Sequence, residues 1–328
     1  MDPIIRLATD GDKESVLELL NYVFTQQQRT TFRRDSKYWK WKYQDNPFGN
    51  SVLTVAEVNN RIIGVDILLP WEFKVRGSVI SALQPCESAV HPDYRGKGVF
   101  TKMRIHGVEN ARKQDVRLIF NFPNKNSLFT NLSLGWHYLG KIIWWVKILK
   151  PANVITGIIS TGKAEPVEID NKYSIDSYHI NQVAQRYVSF DGLLKSNRIS
   201  GFHEWRYVMH PNRSYGMVHL EKDGDNTIVI FTVNQNGRNR EMIIVDLIGS
   251  TENTVPVLKM VLDAGRQMNV GFVAIMNNIR FGTNELWKLG FFKRKLKNMV
   301  VLPLDLSLEG IIKSYASWSL MAGMHDSI

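Results

Sequence analysis

The sequence predicts an α/β protein built from two similar domains, each a mixed, mostly antiparallel sheet flanked by helices, with the second domain a degenerate copy of the first. The chain has 328 residues, about twice the size of an average domain. Along the first half, segments of strand period alternate with segments of helical period. Two short landmarks of the first half return in the same order in the second half, which indicates a duplication.

The composition is that of a folded, globular protein. Apolar residues make up 44% of the chain and charged residues 22%, so disorder is excluded. The one cysteine, Cys86, excludes an intrachain disulfide and a cysteine-based zinc site and favours a reducing compartment. No spacing of metal-ligating residues predicts a metal centre.

Two further features bear on location and partners. The start of the chain lacks a signal peptide, and the apolar residues 142–149 are too few to span a bilayer, which takes about 20. We therefore expect a cytoplasmic protein without a membrane span. The formal net charge of +10 favours an anionic partner, which is a nucleic acid, an anionic lipid or a phosphorylated small molecule.

The first elements follow from local pattern. Residues 4–8 have the pattern of a short strand, and a helix comes next because apolar residues recur at helical spacing: Val16, Leu19, Leu20, Val23 and Phe24. Residues 36–49 are rich in Trp and Tyr. Strands are then predicted at residues 51–58, 61–69, 72–75, 78–83 and 86–90, with tight turns at Asn59 and Asn60 and at Arg76 and Gly77.

The rest of the first half alternates helix and strand. A helix ending near residue 113 is followed by a strand at 116–122, a helix at 126–134 and a strand at 138–149, which completes a domain of residues 1–150. Residues 151–180 are rich in Gly, Pro and small polar residues and predict a linker. Residues 181–328 form the predicted second domain with a C-terminal helix.

The repeat rests on two landmarks. Trp41-Lys42-Tyr43, followed by Asn46-Pro47, returns 164 residues later as Trp205-Arg206-Tyr207, followed by His210-Pro211. Leu134-Gly135-Trp136 returns 155 residues later as Leu289-Gly290-Phe291. Two matches in the same order predict a duplicated domain.

The segment at residues 90–100 is the strongest functional signal. A predicted strand runs into His91-Pro92-Asp93-Tyr94-Arg95-Gly96-Lys97-Gly98 and then into a helix. Backbone N–H groups in such a turn converge, and the helix N-terminus adds positive potential, so the segment predicts an anion site. The other interpretation is an ordinary basic turn between a strand and a helix.

These residues resemble the pyrophosphate loop of the GNAT superfamily of acyl-CoA-dependent N-acyltransferases, written R/Q-x-x-G-x-G/A. Arg95 and Gly98 match, and Phe100 stands where the family has Gly or Ala. A second family pattern, N-x-x-A/S-x-x-x-Y-x-x-x-G-F, is met by Asn124, Ser127, Gly135 and Trp136, with Asn131 in the place of the Tyr that often protonates the departing thiolate.

The resemblance implies an acyl-CoA co-substrate and no permanently bound cofactor. The implied cofactor-binding residues are Ser88, Ala89, Val90, Arg95, Gly96, Lys97, Gly98, Val99, Phe100, Asn124 and Ser127. An amine would attack the thioester directly, and Glu87 is the first candidate for the base that accepts the ammonium proton. Alternatively, Glu87 is a surface or cross-strand glutamate without a catalytic role. Asn121 and Asn131 complete the set of predicted catalytic residues.

Two interpretations are open for the repeated aromatic segments. They either anchor the core, which is the preferred interpretation, or form a stacking platform for the acceptor. On the second interpretation Trp41, His203, Trp205 and Arg206 bind the substrate. The second half has no counterpart of the basic Gly loop, so we expect it to have lost acyl-CoA binding.

The acceptor is implied only by resemblance. Tandem GNAT proteins of bacterial surface-polysaccharide pathways imply a small anionic acceptor, a nucleotide-linked amino sugar. The alternatives are a peptide or aminoacyl amine, or a non-catalytic module that binds acyl-CoA or nucleic acid. The absence of a basic helix or an RNA-binding motif makes nucleic acid the minority interpretation.

Overall fold

The computed structural model describes residues 2–26, 33–154, 164–187, 192–276 and 282–326. The chain divides into two compact units. Unit 1 contains Met1–Gly140 and Asn298–Tyr315, and unit 2 contains Lys141–Lys297 and Ala316–Ile328. Each unit is a mixed α/β structure with a largely antiparallel sheet, so the predicted fold class is confirmed.

Unit 1 holds most of the elements of the first half. In chain order these are β1 (Ile4–Leu7), α1 (Lys13–Gln26), α2 (Ser36–Trp39), β2 (Val52–Val58), β3 (Arg61–Val75), β4 (Ser78–Val90), α3 (Val99–Lys113), β5 (Leu118–Asn121), α4 (Lys125–Ser133) and the start of β6 (His137–Ile148).

Unit 2 holds the rest of β6 and most of the second half. Its further elements are β7 (Glu165–Pro166), α5 (Ser177–Arg186), β8 (Lys195–Ser196), β9 (Gly216–Lys222), β10 (Asp225–Asn236), β11 (Asn239–Gly249), α6 (Thr254–Gln267), β12 (Phe272–Met276), α7 (Thr283–Lys288) and the first half of β13 (Phe292–Pro303). The second half of β13 and α8 (Glu309–Ile312) belong to unit 1.

The two sheets follow one plan. In unit 1, β2, β3 and β4 form antiparallel pairs, β4 pairs with β5 in parallel, and β5 pairs with β13. In unit 2, β9, β10 and β11 form antiparallel pairs, β11 pairs with β12 in parallel, and β12 pairs with β6. Unit 1 thus ends its sheet with the second half of β13, and unit 2 ends its sheet with the second half of β6.

The units differ in their bounds from the predicted domains. Residues 298–315 were assigned to the second domain by the sequence but belong to unit 1. The predicted linker contains β7, which pairs with β10, and the first residues of α5. Its residues 155–163 lie outside the part of the chain that the structure describes.

The hairpin of β3 and β4 is longer than the sequence predicts. The sequence predicts four short strands in residues 61–90, but the structure has two continuous ones, which contain Pro70 and Pro85. The prolines are accommodated because Pro70 lies beyond the residues of β3 that pair with β2, and Pro85 lies beyond the residues of β4 that pair with β5. At the predicted turn Arg76 and Gly77 both have positive φ, 49° and 83°, as a two-residue hairpin turn of type I′ requires.

Helix α3 packs on this sheet through one face. Its buried residues include Val99, Met103, Gly107 and Ala111, which recur every four residues and so share one side of a helix. A Cβ at Gly107 would lie 3.3 Å from the Leu68 side chain, so glycine allows the close approach of helix and sheet. Among the described residues, no helix is both long and apolar enough to cross a bilayer.

Candidate functional site

The candidate site lies in unit 1, where two parallel strands separate. β4 and β5 are paired only at Ala82 with Leu118 and at Leu83 with Ile119. Beyond Leu83, β4 continues with β3 alone up to Val90, and β5 continues with β13. Within the described part of unit 1, Ser88 and Ala89 of β4 pair with β3 and lie beyond the residues that pair with β5, so an extended ligand can hydrogen-bond to their outer edge.

A β-bulge interrupts β4 at the same place. The register of β3 against β4 shifts between Asp66 and Leu68, so that Cys86 and Glu87 both lie opposite the single residue Ile67. A bulge bends the strand and redirects its backbone groups and side chains. The final residues of β4, which include the predicted site residues Ser88, Ala89 and Val90, follow directly after the bulge and pair again with β3.

The predicted anion loop follows directly after β4. Gly96 and Gly98 have φ of 73° and 74°, a conformation that glycine adopts without the penalty other residues incur. No atom lies within 4 Å of where a Cβ would stand at either glycine. Arg95, Gly96, Lys97 and Gly98 are all exposed. The loop therefore presents its backbone to solvent.

Positive charge is concentrated in this loop. Arg95 Nε donates to the carbonyl of Val90 (3.1 Å), and Lys97 Nζ donates to the carbonyl of Asp93 (2.9 Å). Helix α3 begins at Val99 without a side-chain cap, so its first N–H groups have no intrahelical acceptor. Two tethered cations beside an uncapped helix N-terminus form a site suited to a phosphate or diphosphate.

Within α3, the buried Val99 and half-buried Phe100 offer this site their backbone N–H groups. On α4, Asn124 caps the helix because its Oδ1 accepts from the N–H groups of Asn126 (3.0 Å) and Ser127 (3.1 Å). The roles of Asn124 and Ser127 in cofactor binding stay a prediction.

Glu87 is buried, with 5% of its surface exposed, and four side chains surround its carboxylate. Arg34 Nε and the hydroxyl of Tyr43 donate to it at close range. The hydroxyl of Tyr38 donates at 3.1 Å, and Lys42 Nζ lies 3.5 Å away. The carboxylate is thus the centre of a buried polar network.

This network determines the protonation of Glu87. Burial by itself raises the pKa of the carboxyl, but the charges of Lys42 and Arg34 and the hydrogen bonds from Tyr43 and Arg34 hold it at about 2. A carboxylate of so low a pKa, with its lone pairs already engaged, is a poor proton acceptor. The contacts and the pKa do not support the predicted role of Glu87 as the general base.

Unit 2 repeats the same network without the anion loop. Arg198 forms an ion pair with Asp246, and the Tyr207 hydroxyl donates to Asp246 at 3.2 Å. Arg198 and Tyr207 each follow their counterparts in unit 1 by 164 residues, and Asp246 lies at a register shift of β11 as Glu87 lies at that of β4. Because both units have this network beside a β-bulge, we infer that it stabilises the bulged strand rather than takes part in a reaction.

The other two predicted catalytic residues lie apart from Glu87. Asn121 ends β5, is almost buried and pairs with Val300. Asn131 is completely buried in α4, where its Oδ1 lies 3.5 Å from a guanidinium nitrogen of Arg104. Among the described residues, no side-chain hydrogen bond links any two of Glu87, Asn121 and Asn131.

The structure buries the residues of the predicted stacking platform, and their role in substrate binding stays a prediction. Trp41 is 4% exposed, Trp205 3%, Arg206 2% and His203 0%, so their side chains are closed to solvent in this structure. Arg206 instead donates to the backbone carbonyls of Gly323 (3.1 Å) and His325 (2.8 Å). Burial lowers the pKa of His203 to about 3, so this imidazole is neutral and cannot pair with a phosphate. Core anchoring, the preferred interpretation of these segments, accounts for the burial of all four.

The C-terminal segment occupies the bulge of β11 in unit 2. A Cβ at Gly323 would lie 3.0 Å from the carbonyl of Val245 and 2.4 Å from the Tyr207 hydroxyl. After β11, the chain continues as Ser250-Thr251-Glu252, which adds negative rather than positive charge. Unit 2 therefore lacks the basic Gly loop of the anion site in unit 1.

Three site residues were not found by sequence reasoning. Arg34 is the partner of Glu87, and extension of the 164-residue repeat to Arg198 would have revealed it. Asp66 and Arg104 form a buried ion pair beside the bulge, which no local pattern indicates because the partners are 38 residues apart. Among the described residues, no three His, Cys, Asp or Glu side chains are grouped to hold a metal ion.

Comparison with known proteins agrees with this geometry. Residues 4–138 match a family model described as an acetyltransferase (GNAT) domain. No match to the chain was found among curated proteins.

Several solved structures share the fold. A GCN5-related N-acetyltransferase from Anabaena variabilis has a TM-score of 0.61 at 15% identity, over 92% of this chain and 73% of that one. A probable N-acyltransferase from Enterococcus faecalis has a TM-score of 0.60 at 13% identity, over 93% and 73%. The N-myristoyltransferase of Saccharomyces cerevisiae with bound myristoyl-CoA has a TM-score of 0.55 at 12% identity, over 90% and 82%.

Proposed function

We propose that the chain is an acyl-CoA-dependent N-acyltransferase, in which unit 1 binds the acyl-CoA and transfers its acyl group to the primary amine of a small anionic acceptor. The match of residues 4–138 to a GNAT acetyltransferase domain supports this proposal. One observation carries the proposal. The exposed loop of Arg95–Gly98 and the uncapped start of α3 lie at the end of the strand that separates from β5.

The loop is the proposed site of the CoA diphosphate. Its backbone N–H groups and those of Val99 and Phe100 donate to the phosphate oxygens, and the helix N-terminus favours their negative charge. The edge of β4 at Ser88 and Ala89 then accepts the extended pantetheine arm as an added strand. This order places the thioester beside the bulge, near Ser88 and Ala89.

The reaction is a direct aminolysis. The free amine attacks the thioester carbonyl carbon, a C–N bond forms, and backbone N–H groups of β4 stabilise the negative charge that develops on the carbonyl oxygen. The C–S bond then breaks and the CoA thiolate leaves. A thiol has a pKa of about 8.5, so the thiolate departs near neutral pH without a dedicated acid.

The amine proton needs an acceptor other than Glu87. Since that carboxylate is held ionised at a pKa of about 2, we propose that solvent water removes the proton from the attacking nitrogen. The products are then the amide, the CoA thiolate and one proton in solvent; where the thiolate takes up that proton, the products are the amide and CoA thiol.

The proposed acceptor is a nucleotide-linked amino sugar. The net charge of +10 favours two anionic substrates, acyl-CoA and a nucleotide conjugate. The resemblance to tandem GNAT proteins of surface-polysaccharide pathways supports the same class. A peptide or aminoacyl amine is the alternative acceptor.

The test measures CoA thiol release from acetyl-CoA with a panel of amines. The panel contains a nucleotide-linked amino sugar, the matching free amino sugar, a peptide with a free N-terminus and a spermidine control. We expect the nucleotide conjugate to stimulate release most, and release without any dependence on the nucleotide would contradict the proposed acceptor. If none of these amines stimulates CoA release while acetyl-CoA still binds, a non-catalytic binding module is favoured.

A further inference from the structure

A buried ion pair links the helix of the anion loop to the sheet of unit 1. Arg104 lies on α3 and Asp66 on β3, and both are about 1% exposed. Arg104 Nε donates to Asp66 Oδ2 (2.7 Å), and a terminal guanidinium nitrogen donates to Asp66 Oδ1 (2.8 Å). Such a two-pronged contact fixes the orientation of both groups as well as their distance.

The same pair contacts β4 and α4. The hydroxyl of Ser88 donates to Asp66 Oδ1 at 2.5 Å and lies 3.5 Å from Arg104. Asn131 Oδ1 lies 3.5 Å from Arg104 on its other side. One guanidinium therefore connects β3, the end of β4, α3 and α4.

The departures of this chain from the family patterns lie in this cluster. The ring of Phe100, which replaces a small residue, lies 5.1 Å from the guanidinium carbon of Arg104. The Trp136 ring lies 5.6 Å from it, and Asn131, which replaces a tyrosine, accepts from it. Both unusual residues are thus accounted for by a buried arginine that they surround.

Unit 2 shows that the fold does not need this pair. In unit 1, Asp66 lies opposite Ser88, the residue after Glu87. In unit 2, Leu247 is the residue after Asp246, and the buried, apolar Val229 lies opposite it, in the position that corresponds to Asp66. The Arg34–Glu87 network is present in both units, whereas this ion pair is found, among the described residues, only in the unit with the anion loop.

From this difference, and resting on the proposed function, we propose that Asp66 and Arg104 are positioning residues for acyl-CoA. α3 carries the loop that holds the diphosphate, and Ser88 lies on the strand that holds the pantetheine arm and thioester. The ion pair fixes the loop relative to the strand, so that both ends of one ligand are bound at the same time.

The test uses two ligands of different length. ADP contacts only the loop on this proposal, whereas acetyl-CoA also reaches β4. Binding of each is measured by calorimetry for the wild-type chain and for the double variant Asp66→Leu/Arg104→Met, in which both charges are removed together so that neither is left unpaired. We expect ADP affinity to stay within about twofold and acetyl-CoA affinity to fall by about tenfold or more.

Two controls keep the result interpretable. The double variant Asp246→Leu/Arg198→Met removes a buried ion pair of unit 2, and we expect both affinities to be unchanged in it. Arg104→Lys keeps the charge but loses the two-pronged contact, and it serves if the double variant does not fold. We expect it to lower the affinity for acetyl-CoA but not that for ADP.

The outcomes separate this proposal from the proposed function. Acetyl-CoA affinity that is unchanged in a folded variant, or an equal loss for both ligands, overturns the positioning role. A wild-type chain that binds neither ligand overturns the proposed function itself.

Discussion

Glu87 shows how one residue type supports opposite roles. On the sequence it is a carboxylate next to a predicted cofactor loop, which is where a general base would be expected. In the structure it accepts from Arg34, Tyr38 and Tyr43 and lies beside Lys42. Its environment makes it a permanently charged anchor for the bulge of β4.

The variant Glu87→Gln distinguishes an anchor from a base. The pKa of Glu87 is lowered to about 2, so the group is ionised throughout the assay range of roughly pH 6 to 9. We therefore expect the variant to lower kcat by the same factor at every pH in that range. The measurement is the pH profile of kcat for both proteins.

A general base gives a different profile. In that case the loss in Glu87→Gln would be largest near neutral pH and would shrink at high pH, where the amine substrate is already deprotonated. Such a convergence of the two profiles would return Glu87 to the mechanism. The variant Asp246→Asn, which alters the corresponding network of unit 2, serves as the matched control.

At the scale of elements, the site is assembled from a strand, a loop and a helix that are continuous in sequence. β4 ends at Val90, the Gly loop follows, and α3 starts at Val99. Because all three are neighbours along the chain, the loop was recognisable from sequence. The bulge was not, since it depends on how β3 pairs with β4.

Gly98→Glu tests the loop. The substitution adds a negative charge and a side chain where the diphosphate is proposed to bind, and we expect the KM for acyl-CoA to rise by about a hundredfold or more. The KM is determined from initial rates over a range of acyl-CoA concentrations.

Gly49→Glu is the matched control for this variant. Gly49 also has a positive φ, 114°, with no atom near the position of a Cβ, and it is exposed. Both variants therefore add a glutamate side chain at an exposed position of positive φ, but in Gly49→Glu the charge lies outside the loop. A similar KM in both variants would remove the loop from the binding site.

At the scale of the whole molecule, the two units share one sheet plan but differ in the segment that follows the bulged strand. Both units keep the sheet plan, a bulge and a buried Arg–carboxylate–Tyr network. Unit 1 alone has the basic Gly loop and, among the described residues, the ion pair of Asp66 and Arg104. What the copies share serves the fold, and what differs indicates where the ligand binds.

The duplication predicts one acyl-CoA site per chain. Unit 2 lacks the loop, and its C-terminal segment packs on the bulge of β11. We expect calorimetric titration with CoA to give a stoichiometry close to one, and Gly98→Glu to abolish all of the binding. A stoichiometry of two, or a second site that survives in Gly98→Glu, would contradict the assignment.

The sequence determined the fold class, the duplication and the position of the anion loop. These depend on periodicity, on repeated residues and on contiguous turn chemistry, which are local properties of the chain. The sequence alone did not decide whether Trp41, His203, Trp205 and Arg206 belong to the core or to a binding surface, because aromatic and basic residues suit both; the structure buries all four.

Only the tertiary structure decided which side chains meet. Arg34 and Glu87 are 53 residues apart, Asp66 and Arg104 are 38 apart, and residues 298–315 complete a unit that begins at the N-terminus. Strand register and helix packing bring these groups together and bury them. Their burial and charge partners set the pKa of Glu87 and hence its role, because the protonation of a side chain depends on its surroundings in space rather than on its neighbours in sequence.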